Sequence, residues 1–308
     1  MKAYLDILNK ILISPYSVHK KTRTGVDTLS LSGVQFEHDM RQGFPLLTTK
    51  KMGIKSISAE LEFFIKGLSD KKWLQERGCT IWDEWANPVK IKQHMNSIPA
   101  IAEHRVKDKI LELQKEESDL GRIYGVQWRQ WKTGNSIPEI NNDYRIANLI
   151  PMYFDQFEDV IKRAKKNPLD RRLLVTAWRP DELDEMALPP CHYAWQILSD
   201  GKYLDLIWVQ RSIDTFLGLP YNIASYGILL TLLALELNLT PRRLVGQLAD
   251  THIYQNHMQQ AKLQLSREPY MLPKIEILNF KSIFDWQYTD IKLNNYKCHE
   301  AIQAPIAI

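Results

Sequence analysis

Residues 202–239 read KYLDLIWVQRSIDTFLGLPYNIASYGILLTLLALELNL. Lys202–Gln210 runs through Tyr203, Leu204, Asp205, Leu206, Ile207 and Trp208, side chains suited to a pleated, packed surface, and is predicted to be a strand. Ile223–Leu239 is the most hydrophobic run in the chain. It falls short of the ~20 apolar residues a bilayer demands and contains Ser225, Thr231 and Glu236, so it reads as a buried core helix rather than a membrane span. Between them lies QRSIDTFLGLPYN, Gln210–Asn222, rich in groups that hold anions and read heterocycles.

Outward from this stretch, helix and strand signals mix without strict alternation. Residues 3–13 read as a helix with Leu5, Leu8 and Leu12 on one face and Tyr4 and Ile11 beside them. Thr28–Phe36 reads as extended and leads into the turn Gly43-Phe44-Pro45. In Ser56–Lys66, Ile57, Leu61, Phe64 and Ile65 recur at helical spacing. That leaves Glu60 at the buried edge, where a carboxylate is costly without partners or a task. Residues 89–119 are far more charged than their flanks, and Val106, Ile110 and Leu113 predict one accessory surface helix there. Residues 133–151 read as a second, polar, loop-like segment. Phe154–Lys165 is helical in pattern and Arg172–Trp178 is β-rich. The class expected is α+β, a mixed sheet packed with helices.

The 308 residues, 44% hydrophobic, suffice for one large domain or two ordinary ones, and no linker or repeat divides them. A net charge of +4 argues against a duplex-binding protein but leaves room for small anions held by local arginines. Three cysteines, Cys79, Cys191 and Cys298, lack metal-ligand spacing and imply neither a disulfide framework nor a zinc site. The N-terminus lacks a signal-peptide cleavage pattern, and a cytoplasmic enzyme without a metal is the expectation. P-loop, GxGxxG and HExxH signatures are absent.

Cys191 stands in ALPPCH, residues 187–192. A thiol attacks as thiolate and needs nearby positive charge, for which Arg171, Arg172 and Arg211 are candidates. Arg23, Arg171, Arg172 and Arg211 each adjoin small polar or turn residues; guanidinium forks suit phosphate oxygens, although most arginines are simply solvated. His252 and Tyr254 share a face if extended and suit either a sugar hydroxyl or a satisfied core pair. Trp82 and Trp85, in TIWDEWA, suit a stacking wall or the core.

Together these pieces resemble the folate-dependent, cysteine-nucleophile thymidylate synthase family over nearly the whole chain. The resemblance is carried by RTG at 23–25, GFPLLTTKK at 43–51, TIWDEWA at 80–86, YGVQWR at 124–129 and DRR at 170–172. It continues in DELDEMALPPCH at 181–192, QRSIDTFLGLPYNIASY at 210–226, DTHIYQNH at 250–257, LQLSREP at 263–269 and APIAI at 304–308. It implies a single domain over 1–308 with insertions near 89–119 and 133–151. The implied reaction is reductive methylation of dUMP to dTMP, with 5,10-methylenetetrahydrofolate as co-substrate leaving as dihydrofolate. By the same resemblance Cys191 adds to C6 of uracil, Glu60 and Tyr124 move protons through water, His192 orders water near O4, and Asn222 reads the N3 and O4 edge. Arg23, Arg211 and Ser212 match phosphate contacts, and His252 and Tyr254 match ribose contacts. Arg171 and Arg172 match residues that serve the neighbouring subunit's nucleotide in a homodimer. Asp214 matches the pterin carboxylate; Ile81, Trp82, Trp85, Leu188 and Gly218 would line the folate pocket, and Lys50 would meet the glutamate tail. Ile308 matches the end that folds over the ternary complex.

Asp27, Ser32, Glu62 and Ala249 depart from the family pattern. Beside a dCMP-acting relative, which an aspartate at position 222 would suit better, two rival readings share these motifs. One is a dUMP hydroxymethylase, with water in place of hydride as the final acceptor. The other is a non-catalytic relative that binds RNA, including its own message.

Overall fold

The structure, a computed structural model, describes residues 1–98, 102–140 and 146–306. In chain order it runs α1 (Lys2–Ile13), β1 (Val18–Lys20), β2 (Thr28–Asp39), α2 (Ile54–Ile65), α3 (Lys72–Gln75), α4 (Pro88–Ser97), α5 (Glu103–Glu116) and α6 (Tyr124–Arg129). The hairpin β3 (Trp131–Ile140) and β4 (Ile146–Phe154) follows, then α7 (Gln156–Lys166), β5 (Leu174–Thr176), β6 (His192–Ser199), β7 (Tyr203–Asp214), α8 (Gly218–Glu236), β8 (Thr240–Tyr254), α9 (Met258–Leu265), β9 (Lys274–Ile277) and β10 (Ile291–Asn294).

The main sheet has the order β1-β2-β8-β7-β6-β5, with β7 and β8 parallel and the other neighbours antiparallel. This is the α+β class the sequence implies. A parallel pair needs a long crossover, and α8 supplies it. The helix is apolar all round because it lies inside the molecule, with Ile223, Ala224, Ile228, Leu229, Leu230, Leu232 and Leu233 fully buried. It alone among the described helices is long and apolar enough to cross a membrane, and most of it is buried in the protein. It starts at Gly218, earlier than the sequence pattern indicated. Pro220 fits its first turn, where a missing N–H leaves no bond unmade.

The two sheet faces differ. On the inner face Val175, Trp195, Trp208, Gly246 and Phe36 form one cross-strand row. Gly246 is required there: a Cβ would stand 2.4 Å from the Trp208 ring. On the outer face run Leu174, Gln196 and Ile207, and beside them Thr176, Ala194, Val209, Gln247 and Gln35.

Three expectations need correction. The buried face of α1 is Tyr4, Ile7, Leu8 and Ile11, with Leu5 and Leu12 only half-buried at its margin. The charged segment forms two helices, not one. Asn87 caps α4 by accepting from the Val89 N–H, and Ile98, preceding a proline, is extended and stops it. Ile91 and Leu113 then bury against Ala86, with Met95 and Ile110 beside them, so the predicted stripe does find a partner. Residues 133–140 and 146–151 are paired strands rather than loop. Their alternation is hidden because residues 133–138 and 149–151 are exposed on both faces and a register shift between Lys132 and Ser136 interrupts the pairing around Gly134, whose φ is +78°.

Candidate active site

Cys191 sits just before β6, against the end of β7. Arg211 on β7 is wired to this turn: its N–H donates to the Cys191 carbonyl (2.8 Å), Nε to Pro190 O (3.0 Å) and Nη2 to Pro189 O (2.8 Å). The same Nη2 lies 3.8 Å from Cys191 Sγ. The Cys191 N–H donates to the Tyr124 hydroxyl at 2.8 Å. Burial pushes the Cys191 thiol above its ordinary value, against the downward pull of Arg211, Tyr124 and Arg23. Of the arginines expected to supply positive charge, Arg211 does, joined by Arg23. Arg171 and Arg172 stand apart from this chain's own Cys191: they line an exposed depression with Asn167, Leu169 and Asp170 ahead of β5, where Arg172 pairs with Asp170 at 3.0 Å. Cys79 is fully buried, and burial pushes its thiol up to about 12, so it is no competing nucleophile.

Facing this turn is a wall built from α2 and α6. The two helices touch at Gly125, where a Cβ would come within 2.2 Å of the Phe64 carbonyl oxygen. That approach stacks Tyr124 on Phe64 (4.9 Å) and on His192 (4.3 Å). Glu60, on the same helix as Phe64, is 9% exposed, and its carboxyl accepts the Trp82 indole N–H at 2.8 Å. Burial raises its pKa to about 7 despite that bond, so the group changes charge at neutrality. His192 is the converse: burial lowers its pKa to about 3, and the neutral ring shares a 2.9 Å bond with the Tyr226 hydroxyl.

Asn222, in the second turn of α8, has an amide whose direction is fixed by a chain of bonds. The Trp208 indole can only donate, and it donates to Gln210 Oε1 at 3.1 Å. Gln210 Nε2 is therefore the donor to Ser212 O and to Asn222 Oδ1, both at 3.1 Å. Among the described residues Asn222 thus has its NH₂ unpaired and one acceptor site left on Oδ1, a donor–acceptor edge suited to a cyclic imide.

On the other side, Asp214 Oδ1 accepts the Phe216 and Leu217 N–H groups (2.9 and 3.1 Å) at the entry to α8, leaving Oδ2 free of them. Gly218 leaves this edge bare, since a Cβ would lie 3.3 Å from Ile213 and 3.8 Å from the Asp214 Cβ. His252 and Tyr254 do share a face of β8, with rings 5.2 Å apart and perpendicular. Asp250 stands 3.6 Å from His252 and 3.0 Å from Lys20. Arg23 is exposed in the turn between β1 and β2, and Asp27 is exposed there too, its carbonyl receiving Gln255 N–H at 2.8 Å. Trp82 is buried, Trp85 half-buried and Ile81 40% exposed; Leu188 is half-buried in the turn before Cys191. Lys50 is 5% exposed, and its ammonium turns inward to the Phe216 carbonyl and lies 3.8 Å over that ring, rather than toward solvent. Ile308 lies outside the described residues.

Sequence reasoning passed over several residues that hold these groups in place. Gln210 and Tyr226 lie inside quoted motifs but act through bonds no local pattern reveals. Lys71 is buried, and its ammonium donates to the carbonyls of Asp83, Trp85 and Gln114, fixing the TIWDEWA turn against α5. Glu182 ties the Cys191 approach to Tyr124's helix, accepting from Arg122 (2.6 Å) and Gln127 (2.7 Å) and pairing with Lys132 (2.8 Å). Their signal is only charge in an otherwise buried neighbourhood.

The thymidylate synthase family profile matches residues 2–308, essentially the whole chain. The chain belongs to the thymidylate synthase family.

Proposed function

We propose that the protein is a thymidylate synthase, converting dUMP and 5,10-methylenetetrahydrofolate to dTMP and dihydrofolate. The observation that carries this reading is Glu60: a carboxyl poised at about 7, held by the Trp82 indole beside the wall that faces Cys191. Cys191, as thiolate beside Arg211, adds through Sγ to C6 of the uracil, and the displaced electron pair makes C5 a nucleophile. Asn222 donates to O4 and accepts from N3–H, orienting the ring and favouring uracil over cytosine. Glu60 and Tyr124, through water, carry away the C5 proton. Expulsion of the Cys191 thiolate then regenerates the enzyme.

When bound, methylenetetrahydrofolate supplies the one-carbon unit and the hydride that reduces it to a methyl group. The residues present suit it. Asp214 Oδ2 is an acceptor for the paired N–H groups of a pterin, the Gly218 edge is bare, and Trp82 and Trp85 offer flat walls. Arg23, Arg211 and Ser212 are proposed to hold the phosphate, and His252 and Tyr254 the ribose. Arg171 and Arg172 are proposed to act on the nucleotide of a second subunit.

Incubating the purified protein with dUMP and methylenetetrahydrofolate tests this. The expected products are dTMP and dihydrofolate in equal amounts, the latter seen as an absorbance rise. Release of 5-hydroxymethyl-dUMP with tetrahydrofolate would overturn the synthase reading in favour of hydroxymethylation.

A further inference from the structure

We propose that His257 is a positioning residue that couples the C-terminal tail to the Asp214 carboxylate, an inference that rests on the synthase reading for its catalytic meaning. His257 is 0% exposed and ends the 3₁₀ turn Gln255–His257 between β8 and α9. Its ring touches two segments far apart in sequence. Nε2 lies 2.7 Å from the Pro305 carbonyl, and because a carbonyl only accepts, Nε2 carries a proton. Nδ1 faces Asp214 Oδ2 at 3.8 Å, within ion-pair reach but beyond a hydrogen bond, and it is buried with no hydrogen-bond partner among the described residues. Phe216 and Tyr254, each with its ring 5.6 Å away, close the sides.

The two oxygens of Asp214 are not equivalent. Oδ1 is committed to the Phe216 and Leu217 N–H groups, so Oδ2 is the oxygen left for a ligand, and it is the one His257 faces. With a neutral ring, the Nδ1 lone pair and Oδ2 are two acceptors confronting each other. With an imidazolium, Nδ1–H can close on Oδ2 while Nε2–H holds Pro305. The charged form therefore binds the tail and the carboxylate together, with a stronger, charge-assisted bond to Pro305, and the neutral form holds the tail alone and more weakly. The titratable groups around the ring are Asp214, Lys50 and Tyr254, and Tyr4 in turn acts on Asp214. Burial and the Lys50 ammonium disfavour the imidazolium, while Asp214 and the Pro305 carbonyl favour it, and the balance lies above the ordinary histidine value. A ligand whose N–H groups draw on Oδ2 changes that balance and so changes the hold on the tail; by linkage, the tail changes the affinity for the ligand.

The test is hydrogen exchange at the Ile302, Gln303, Ala304 and Ile306 amides in the full-length protein without ligands. Wild type, His257→Gln and His257→Ala are compared at pH 6 and pH 8 after correction for intrinsic exchange. The imidazolium is present at the lower pH and lost as pH rises through its folded value, so wild-type tail protection should be several-fold greater at pH 6. His257→Gln keeps a donor for Pro305 but no charge, and should retain part of the protection while losing its pH dependence. His257→Ala should lose both, with exchange about tenfold faster or more. In turnover assays both variants should raise KM for methylenetetrahydrofolate more than they lower kcat, with dUMP affinity unchanged. Unaltered tail exchange in His257→Ala, or pH-dependent protection persisting in His257→Gln, would overturn the proposal. Should His257→Ala not fold, the glutamine variant decides alone. Because the exchange readout needs no substrate, loss of the synthase reading would leave its outcome intact, and an active synthase with unchanged exchange would refute the coupling by itself.

Discussion

Glu60 shows how one buried group couples stability to chemistry. Its folded pKa of about 7 stands above the ordinary 4.5, and burial is the cause. A group whose pKa is raised on folding is accommodated without cost below its unfolded value, and that advantage is lost as pH climbs through the folded one. Between pH 4.5 and 7 the native state keeps a proton that the unfolded chain would release; above 7 the buried charge weighs against folding by on the order of 3 kcal/mol. Glu60→Gln retains the Trp82 bond without the charge. It should therefore match wild-type stability at pH 4, be more stable at pH 8, and turn over at least about a hundredfold more slowly, as expected for loss of a general acid–base group. Denaturant melts across that pH range together with kcat measurements check it. Equal stability differences at both pH values would show that Glu60 does not titrate there. A similar economy governs Asn222, whose amide direction descends from the donor-only Trp208 indole through Gln210.

At the scale of elements, what the sequence made legible was what depends on local periodicity. The apolar spacing of Ser56–Lys66 placed Glu60 at a buried edge, and α2 has Glu60 nearly buried there. The unbroken apolar run placed α8 in the core, and the strand-favouring side chains of Tyr203–Trp208 gave β7. What stayed hidden depends on partners distant in the chain: the pairing of β3 with β4, whose side chains are mostly exposed, and the bonds made by Gln210, Lys71, Glu182 and His257. Motif resemblance named Cys191, Tyr124 and Asn222 but not the scaffolding between them. Glu62 is instructive, since it departs from the family pattern yet is 3% exposed at its side chain. Oε1 pairs with Lys66 at 2.7 Å, and Oε2 accepts the Tyr288 N–H at 2.7 Å, fastening α2 to the turn before β10. Glu62→Ala would leave that part-buried N–H without its partner, and should destabilise the protein by about 1–3 kcal/mol, with glutamine recovering part of the loss. Thermal or denaturant unfolding of the two variants measures this; a neutral alanine would mean that water replaces the carboxylate.

Over the whole molecule, the outer face of the main sheet leaves apolar side chains partly uncovered. Leu174 is 47% exposed on the edge strand, and Ile207 and Val209 continue its row and the adjacent one with little charge among them. A face of this kind fits a two-fold pairing with a second copy, in which the same patch meets itself. The proposed homodimer also accounts for Arg171 and Arg172, which stand exposed in the turn leading into β5 while Cys191 draws its positive field from Arg211 and Arg23. If they complete the phosphate site of the second subunit, Arg171→Ala and Cys191→Ala are complementary lesions, each nearly inactive alone. In a mixed dimer one site joins an intact Cys191 to an intact Arg171 from across the interface, and the other site carries both lesions. Random exchange of equal amounts makes half the dimers mixed with one working site each, so activity should recover to about a quarter of wild type. Exchange would be verified independently with differently tagged subunits. Recovery near that fraction supports shared sites, whereas proven exchange without recovery would place Arg171 outside the partner's site and leave the arginine-lined depression in need of a different ligand.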